Sequence, residues 1–389
     1  MLCIFPLLII AYYPVASIIL PYGFKLELVQ TLFRHGDRTP NSPQSYPNDP
    51  YNSSNYDIYG YGQLTNDGRK RMYELGQMFK QRYGEILSET YKPQDIYAYS
   101  TDIDRTKASL QLVLAGLFPP SPQETWNSQL KWLPFPTYYN DAKFDFLSTT
   151  YYCTEVERAH RRVVSSSEVQ KKLLNYKNFL EYISQSTGLP LDPNNGLHLF
   201  NAIRAQRNLN LPYPPWCSDQ VFEQLKEIAA FTIETYTYTN ELRSLVAGPT
   251  IKRFLTNIEN NELKTDKRKM YLYSAHDTNI NTILGSFNFY QNIPLADYGT
   301  ALIIEKLKGQ DENTYIRLLL YSSIDKTLTP LVLKSCTEIC PLSMFINMMN
   351  KIAPDNPKCL YANARRNVEH LINGTIKNDD YNKLKLKYK

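Results

Sequence analysis

The stretch Arg34-His35-Gly36-Asp37-Arg38-Thr39-Pro40 sets an imidazole between two guanidinium groups four residues apart. A phosphate monoester carries close to two negative charges near neutral pH, its second pKa being about 6. Two arginines on one turn can fork hydrogen bonds onto its oxygens. The histidine between them can aim one ring nitrogen at phosphorus. Gly36 leaves no side chain to block backbone approach, and Pro40 ends and stiffens the turn. To attack, the imidazole must be neutral. Its other nitrogen must then donate its proton to an acceptor such as a backbone carbonyl. The bland alternative is a surface loop with an incidental histidine, and the density of Arg and His in this stretch weighs against it.

Two further sites complement that loop. His276-Asp277 offers a carboxylic acid that can protonate a departing oxygen, a service commonly worth about 10²- to 10⁴-fold, and a histidine that when protonated clamps an anion. A bound phosphate raises a neighbouring carboxyl's pKa and so favours the acid form. Asp104-Arg105-Thr106 offers an arginine at a helix start, where the dipole suits an anion. Taken alone, Arg105 reads more simply as a surface cation paired with Asp102 or Asp104. The other histidines, His160, His198 and His370, fall in helical or terminal regions and are expected to be structural or exposed.

These residues need elements to bring them together. FKLELVQTLF, Phe24 to Phe33, reads as a strand running into Arg34-His35. A helix is expected from Leu64 to Leu87, capped by Thr65, with Met72, Leu75, Phe79, Tyr83 and Ile86 on one face. Asp95 to Ser100 reads as a second strand, and Asp104 to Phe118 as a helix stopped by Pro119-Pro120. Lys269 to Ala275 reads as a third strand ending at His276. That rhythm predicts an α/β fold with a mostly parallel central sheet flanked by helices. The three strand ends then share one edge, where open α/β sheets bind ligands. Between Pro136 and Gly248 no strand alternation appears. Ser165 to Ile183 and Ser218 to Leu245 have helical spacing, so an inserted helical cap is expected. Tyr298 to Leu307 and Thr314 to Tyr321 read as a closing hairpin, and Leu342 to Ile352 as a last helix. The domain expectation is a leader at 1–20, a core of 21–135 and 249–389, and a cap at 136–248.

Bulk properties narrow the class. The 389 residues are 43% hydrophobic and 21% charged, enough for a large core and unlike a disordered chain. The net charge of +5 suits an anionic substrate, and no Lys/Arg stripe dense enough for nucleic acid exists. The 31 tyrosines carry no firm functional reading. The apolar start reads as a secretory leader, with Pro6 and Pro14 arguing against a spanning helix. No other run is long enough for a membrane span. Cys153, Cys217, Cys336, Cys340 and Cys359 follow the leader, an odd number consistent with an oxidising compartment. Asn52 and Asn373 head glycosylation sequons.

The loop at Arg34–Pro40, with Asp104-Arg105-Thr106 and Ala275-His276-Asp277, resembles the three signature motifs of the histidine acid phosphatases. The likeness spans nearly the whole mature chain and extends to Phe118-Pro119-Pro120, the Cys336–Cys340 pair and Cys359. It lies nearest the prostatic, lysosomal and insect venom types. The resemblance implies His35 as nucleophile, forming a phosphohistidine that water hydrolyses, and Asp277 as proton donor. It implies Arg34, Arg38, Arg105 and His276 as substrate ligands, no cofactor or metal, and an α/β domain with a helical cap. Also implied are a homodimer and disulfides Cys153–Cys359 and Cys336–Cys340. The partner expected for Cys217, near Tyr298-Gly299-Thr300-Ala301, is missing, which leaves Cys217 free or intermolecular. The expected activity is broad phosphate monoester hydrolysis by a secreted enzyme, extracellular or in a lysosomal lumen or venom. The alternative is a narrow enzyme for inositol phosphates or lysophospholipids. Neither a nucleic acid nor a membrane is an expected partner.

Overall fold

A computed structural model describes residues 13–14, 20–42, 44–190, 192–289, 295–353 and 359. Most of the expected leader, His370, the Asn373 sequon and the basic C-terminus lie outside the described residues. An eight-stranded mixed sheet organises the rest in the order β1-β7-β6-β5-β2-β4-β3, with β8 on β6. The strands are β1 (Tyr13–Pro14), β2 (Phe24–Arg34), β3 (Ile96–Ser100), β4 (Met270–Ala275), β5 (Ala301–Gly309), β6 (Thr314–Ser322), β7 (Thr327–Leu331) and β8 (Ile339–Pro341). Five of the eight run in one direction; β2, β4 and β3 are adjacent and parallel, while β5, β7 and β8 oppose them.

Side-chain alternation sends alternate residues of each strand to opposite faces. On β4, Met270 and Leu272 join one apolar cluster while Tyr271, Tyr273 and Ala275 join the other. Helices α1 (Asn66–Tyr83) and α2 (Asp104–Leu117) cover the first face with Met72, Leu75, Phe79, Leu110 and Val113. As expected, Thr65 caps α1, its hydroxyl accepting from Gly68 N at 3.1 Å. The second face is covered chiefly by α9 (Asn240–Val246), α10 (Gly248–Glu262), α11 (Asp277–Ser286) and α12 (Leu342–Asn350).

Between α2 and α9 the chain runs through α3 (Thr149–Tyr152), α4 (Thr154–Val164), α5 (Ser167–Leu174), α6 (Lys177–Thr187), α7 (Pro193–Arg207) and α8 (Asp219–Thr235). The stretches with helical spacing are each broken in two. Ser166 caps α5, and α6 starts afresh after Tyr176, ending at Gly188 with φ 76°. Thr239 starts α9 by accepting from Leu242 N at 3.2 Å. Helix α7, unread in the sequence, packs Leu199, Phe200 and Ile203 against Leu225 and Ala229 of α8 in a third apolar cluster. Strands β7 and β8 were likewise not expected; they are short and extend the sheet at its antiparallel side.

Candidate active site

The C-terminal ends of β2, β3 and β4 meet, as parallel pairing requires. His35 N donates to Ala275 O at 3.1 Å and Arg34 N to Thr300 O at 2.9 Å, so the loop leaves the sheet in one defined direction. His35 is 2% exposed. Its Nδ1 lies 2.8 Å from Gly36 O, a carbonyl that can only accept, so Nδ1 carries the proton. Nε2 is then the lone-pair nitrogen, and Arg105 Nε donates to it at 3.0 Å. Burial, then the charges of Arg105, Arg34, His276 and Arg38, hold the imidazole pKa well below its ordinary 6.5.

Arg34 donates through Nη1 to Ala296 O at 2.9 Å and pairs through Nη2 with Asp277 Oδ2 at 3.0 Å. Its guanidinium stacks on Tyr298, 4.1 Å from the ring centre. Arg38 donates to Thr39 O at 2.9 Å. Arg105 does not pair with the acids beside it: Asp102 takes Lys107 at 2.5 Å, and Asp104 accepts from Gln63 at 3.2 Å. Burial and the Arg38 charge bring Arg105 down to about 10.

His276 Nε2 lies 3.1 Å from Thr101 Oγ1, with Thr106 Oγ1 another 2.8 Å on. Burial and Arg105 push His276 down to about 3, so it is a neutral ring in the free protein rather than the cation one clamp role would need. Asp277 opens α11, its Oδ1 accepting from Thr278 N at 2.9 Å. Burial would raise its pKa, but Arg34 and Arg204 outweigh that and hold it at about 2. In the free protein Asp277 is therefore a carboxylate, and a proton-donor role requires that its pairing with Arg34 first loosen.

Three features were not legible. Arg204, on α7, reaches Asp277 Oδ2 with Nη2 at 3.3 Å and brings a fourth guanidinium to the site. Nothing in FNAIRAQR distinguishes it from a surface arginine. Asp37, within the central motif, is bound by Arg71 of α1 at 2.5 Å and by Asn208 at 3.1 Å, and so anchors the loop. Gly36 also serves packing: a Cβ there would fall 2.4 Å from Gly68 O.

Arg34 and Arg204 thus share the Asp277 carboxylate while Arg105 bonds His35 Nε2, and Arg34 Nε, Arg38 Nε and Arg204 Nε are buried without a hydrogen-bond partner. Such a surplus of buried positive charge calls for an anion. Among the described residues, no group of three or more His, Cys, Asp or Glu is placed to hold a metal ion. The remaining described histidines are structural: His160 stacks on Tyr236 at 3.9 Å, and His198 Nε2 bonds Ser45 O at 2.6 Å. Cys153–Cys359 and Cys336–Cys340 are disulfides, and Cys217 is free and buried.

Residues 25–321 match the family model described as the histidine phosphatase superfamily, branch 2. A venom acid phosphatase of Apis mellifera is 31% identical, over 96% of this chain and 97% of its own length. Prostatic acid phosphatase of Bos taurus is 30% identical over 90% of this chain and 91% of its own. Human lysosomal acid phosphatase is 29% identical over 89% and 83%. Among solved structures, a Hafnia alvei phytase in complex with tartrate superposes with a TM-score of 0.66 at 16% identity, over 87% of this chain and 99% of that one. A Citrobacter braakii phytase gives 0.63 at 18%, over 86% and 99%, a likeness of fold.

Proposed function

From the chain's membership of the histidine phosphatase superfamily, branch 2, we propose that it is an acid phosphatase that hydrolyses phosphate monoesters through a phosphohistidine on His35. One observation carries the reading. The Gly36 carbonyl at 2.8 Å fixes the His35 tautomer, so that Nε2 presents its lone pair amid the cations that would hold a phosphate.

Arg34, Arg38 and Arg105 clamp the phosphate oxygens, and His276 gives a further polar contact. The Nε2 lone pair forms the P–N bond as the ester P–O bond breaks. The electron pair passes to the leaving oxygen, which takes a proton from Asp277. As the phosphoryl group moves onto nitrogen, the guanidiniums neutralise the charge on its three equatorial oxygens. Water then attacks phosphorus, its proton returning to Asp277, the P–N bond breaks, and inorganic phosphate leaves. The depressed basicity of His35 keeps the nucleophile unprotonated in acid. A bound dianion engages Arg34 and raises the Asp277 pKa toward a range where it can hold the proton.

The helices between residues 136 and 248 act as the cap over this edge. Secretion is supported by the apolar leader, by two disulfides, and by the exposed Asn52, open to a glycan. Relatives named as venom, prostatic and lysosomal enzymes support the same compartments, and among the described residues no helix is long and apolar enough to cross a membrane.

The test is phosphate release from a panel of monoesters at acidic pH with chelator present, comparing the native enzyme with His35→Ala. Rapid quench into alkali, which preserves P–N bonds, should trap a phosphoryl label on the native enzyme and none on the variant. Near-native turnover by His35→Ala would end this reading.

A further inference from the structure

Arg204 lies outside every motif from which the site was read. Its guanidinium is held from several sides. Nη2 donates to Asn201 Oδ1 at 2.8 Å and to Asp277 Oδ2 at 3.3 Å, and Nη1 lies 3.6 Å from Asp297 Oδ1. The rings of Phe200 and Tyr298 flank it at 4.7 and 4.9 Å. A group so confined cannot swing away as a surface arginine does. It shares Asp277 Oδ2 with Arg34, which sits 3.0 Å away. The two carboxylates bonded to Arg204 differ: Asp277 is 16% exposed and Asp297 43%.

We propose that Arg204 is a positioning residue for the proton donor: it locks the Asp277 carboxyl in place and, contested by Asp297, sets the pH up to which Asp277 keeps its proton in the enzyme–substrate complex. The proposal rests on the function assigned above.

The charged and titratable groups facing Asp277 come from every surrounding element. They are Arg34 at the end of β2, Arg105 of α2, Tyr151 of α3, Arg204 of α7, His276 before α11, and Asp297 and Tyr298 ahead of β5. Arg34 and Arg105 belong to the phosphate clamp, so a bound dianion takes up their charge. Arg204 is already matched by Asp297 and keeps its hold on Asp277 when substrate is present. Its charge favours the carboxylate, so its removal lets Asp277 keep the proton to higher pH. Removing the Asp297 charge does the reverse, because it frees Arg204 and relieves a like charge.

The measurement is the descending limb of kcat against pH with a simple alkyl phosphate, whose poor leaving group makes proton donation rate-limiting. Arg204→Met should move the limb up by roughly one pH unit or more, Arg204→Lys by less, and Asp297→Asn should move it down. With 4-nitrophenyl phosphate, whose leaving group needs little protonation, the limbs should move less. Limbs that stay put, or that move the same way in Arg204→Met and Asp297→Asn, overturn the proposal. Should Arg204→Met fail to fold by circular dichroism, Arg204→Lys and Asp297→Asn decide it by their opposite shifts. Immobile limbs in an enzyme whose turnover still depends on His35 would sink this inference alone, whereas activity in His35→Ala would sink the assigned function.

Discussion

Depressed histidines tie chemistry to stability at the level of single residues. Burial and the adjoining arginines keep His35 well below 6.5 and His276 at about 3. Both stay neutral in the folded protein at pH values where the unfolded chain would protonate them. The unfolded state then binds more protons, so stability rises with pH across that window. Their contribution is complete above 6.5 and is lost as pH falls toward 3. Asp277, held at about 2, behaves as a depressed acid: its stabilisation is present above 3.8 and fades only as pH drops through 2. Between about pH 6.5 and 5, where ordinary carboxylates stay ionised, the histidines dominate. The melting temperature of the free enzyme should therefore fall across that interval. Inorganic phosphate should restore it, because an anion among the guanidiniums relieves the repulsion that, after burial, holds the rings neutral. His276→Asn should flatten the slope. A melting temperature indifferent to pH in this interval, in both proteins, would contradict the account.

Close contact between elements explains why the loop sits where it does. Helix α1 meets the catalytic loop at Gly68, where a Cβ would lie 2.1 Å from Asp37 O, and meets α2 at Gly76, where a Cβ would lie 2.1 Å from Val113 O. Both contacts are with backbone, which cannot swing aside. Gly68→Ala must push the 34–38 loop, and a misplacement near 1 Å can cost about 10²-fold in rate. Gly76→Ala must force α1 and α2 apart at a point away from the chemistry, a strain of about 1–3 kcal/mol. Gly68→Ala should thus lower kcat/KM about 100-fold, and Gly76→Ala should lower the melting temperature with a smaller kinetic change. Equal effects on both readouts in both variants would refute the distinction. The three parallel strands and α1 were legible, because alternation, a Thr65 cap and a one-sided apolar face are local signals. The convergence of Arg34, His35, Arg105, His276 and Asp277 followed from strand ends alone. The tautomer acceptor could be anticipated as a carbonyl, though only coordinates identify Gly36. Arg204 could not be found, because α7 buries Ile203, Arg204, Ala205 and Gln206 in succession and so shows no clean polar face. Neither could the packing role of Gly36, which depends on a helix more than thirty residues away.

At the scale of the whole molecule, the helical stretch and the chain beyond α12 are joined by more than packing. Cys153, just before α4, is linked to Cys359 across 206 residues, whereas Cys336–Cys340 spans only 4. Cross-links restrict the unfolded chain more as the closed loop lengthens, so the first bond carries the larger share of this effect, about 2–5 kcal/mol. Cys217 is a bystander: burial raises its thiol to about 11, which keeps it protonated and a poor partner for exchange. It was expected to be free or intermolecular, and its burial favours the first. Cys153→Ser with Cys359→Ser should lower the melting temperature by roughly 2–6 °C, and Cys336→Ser with Cys340→Ser by less. Cys217→Ser should leave the response to reductant unchanged. Because Arg204 reaches Asp277 from that same helical stretch, the loss of Cys153–Cys359 should also show in kinetics. The alkyl phosphate limb of kcat should lose sharpness before the protein melts. If the long-range pair melts no lower than the native enzyme, the stretch is secured by packing alone and the cross-link adds nothing to it.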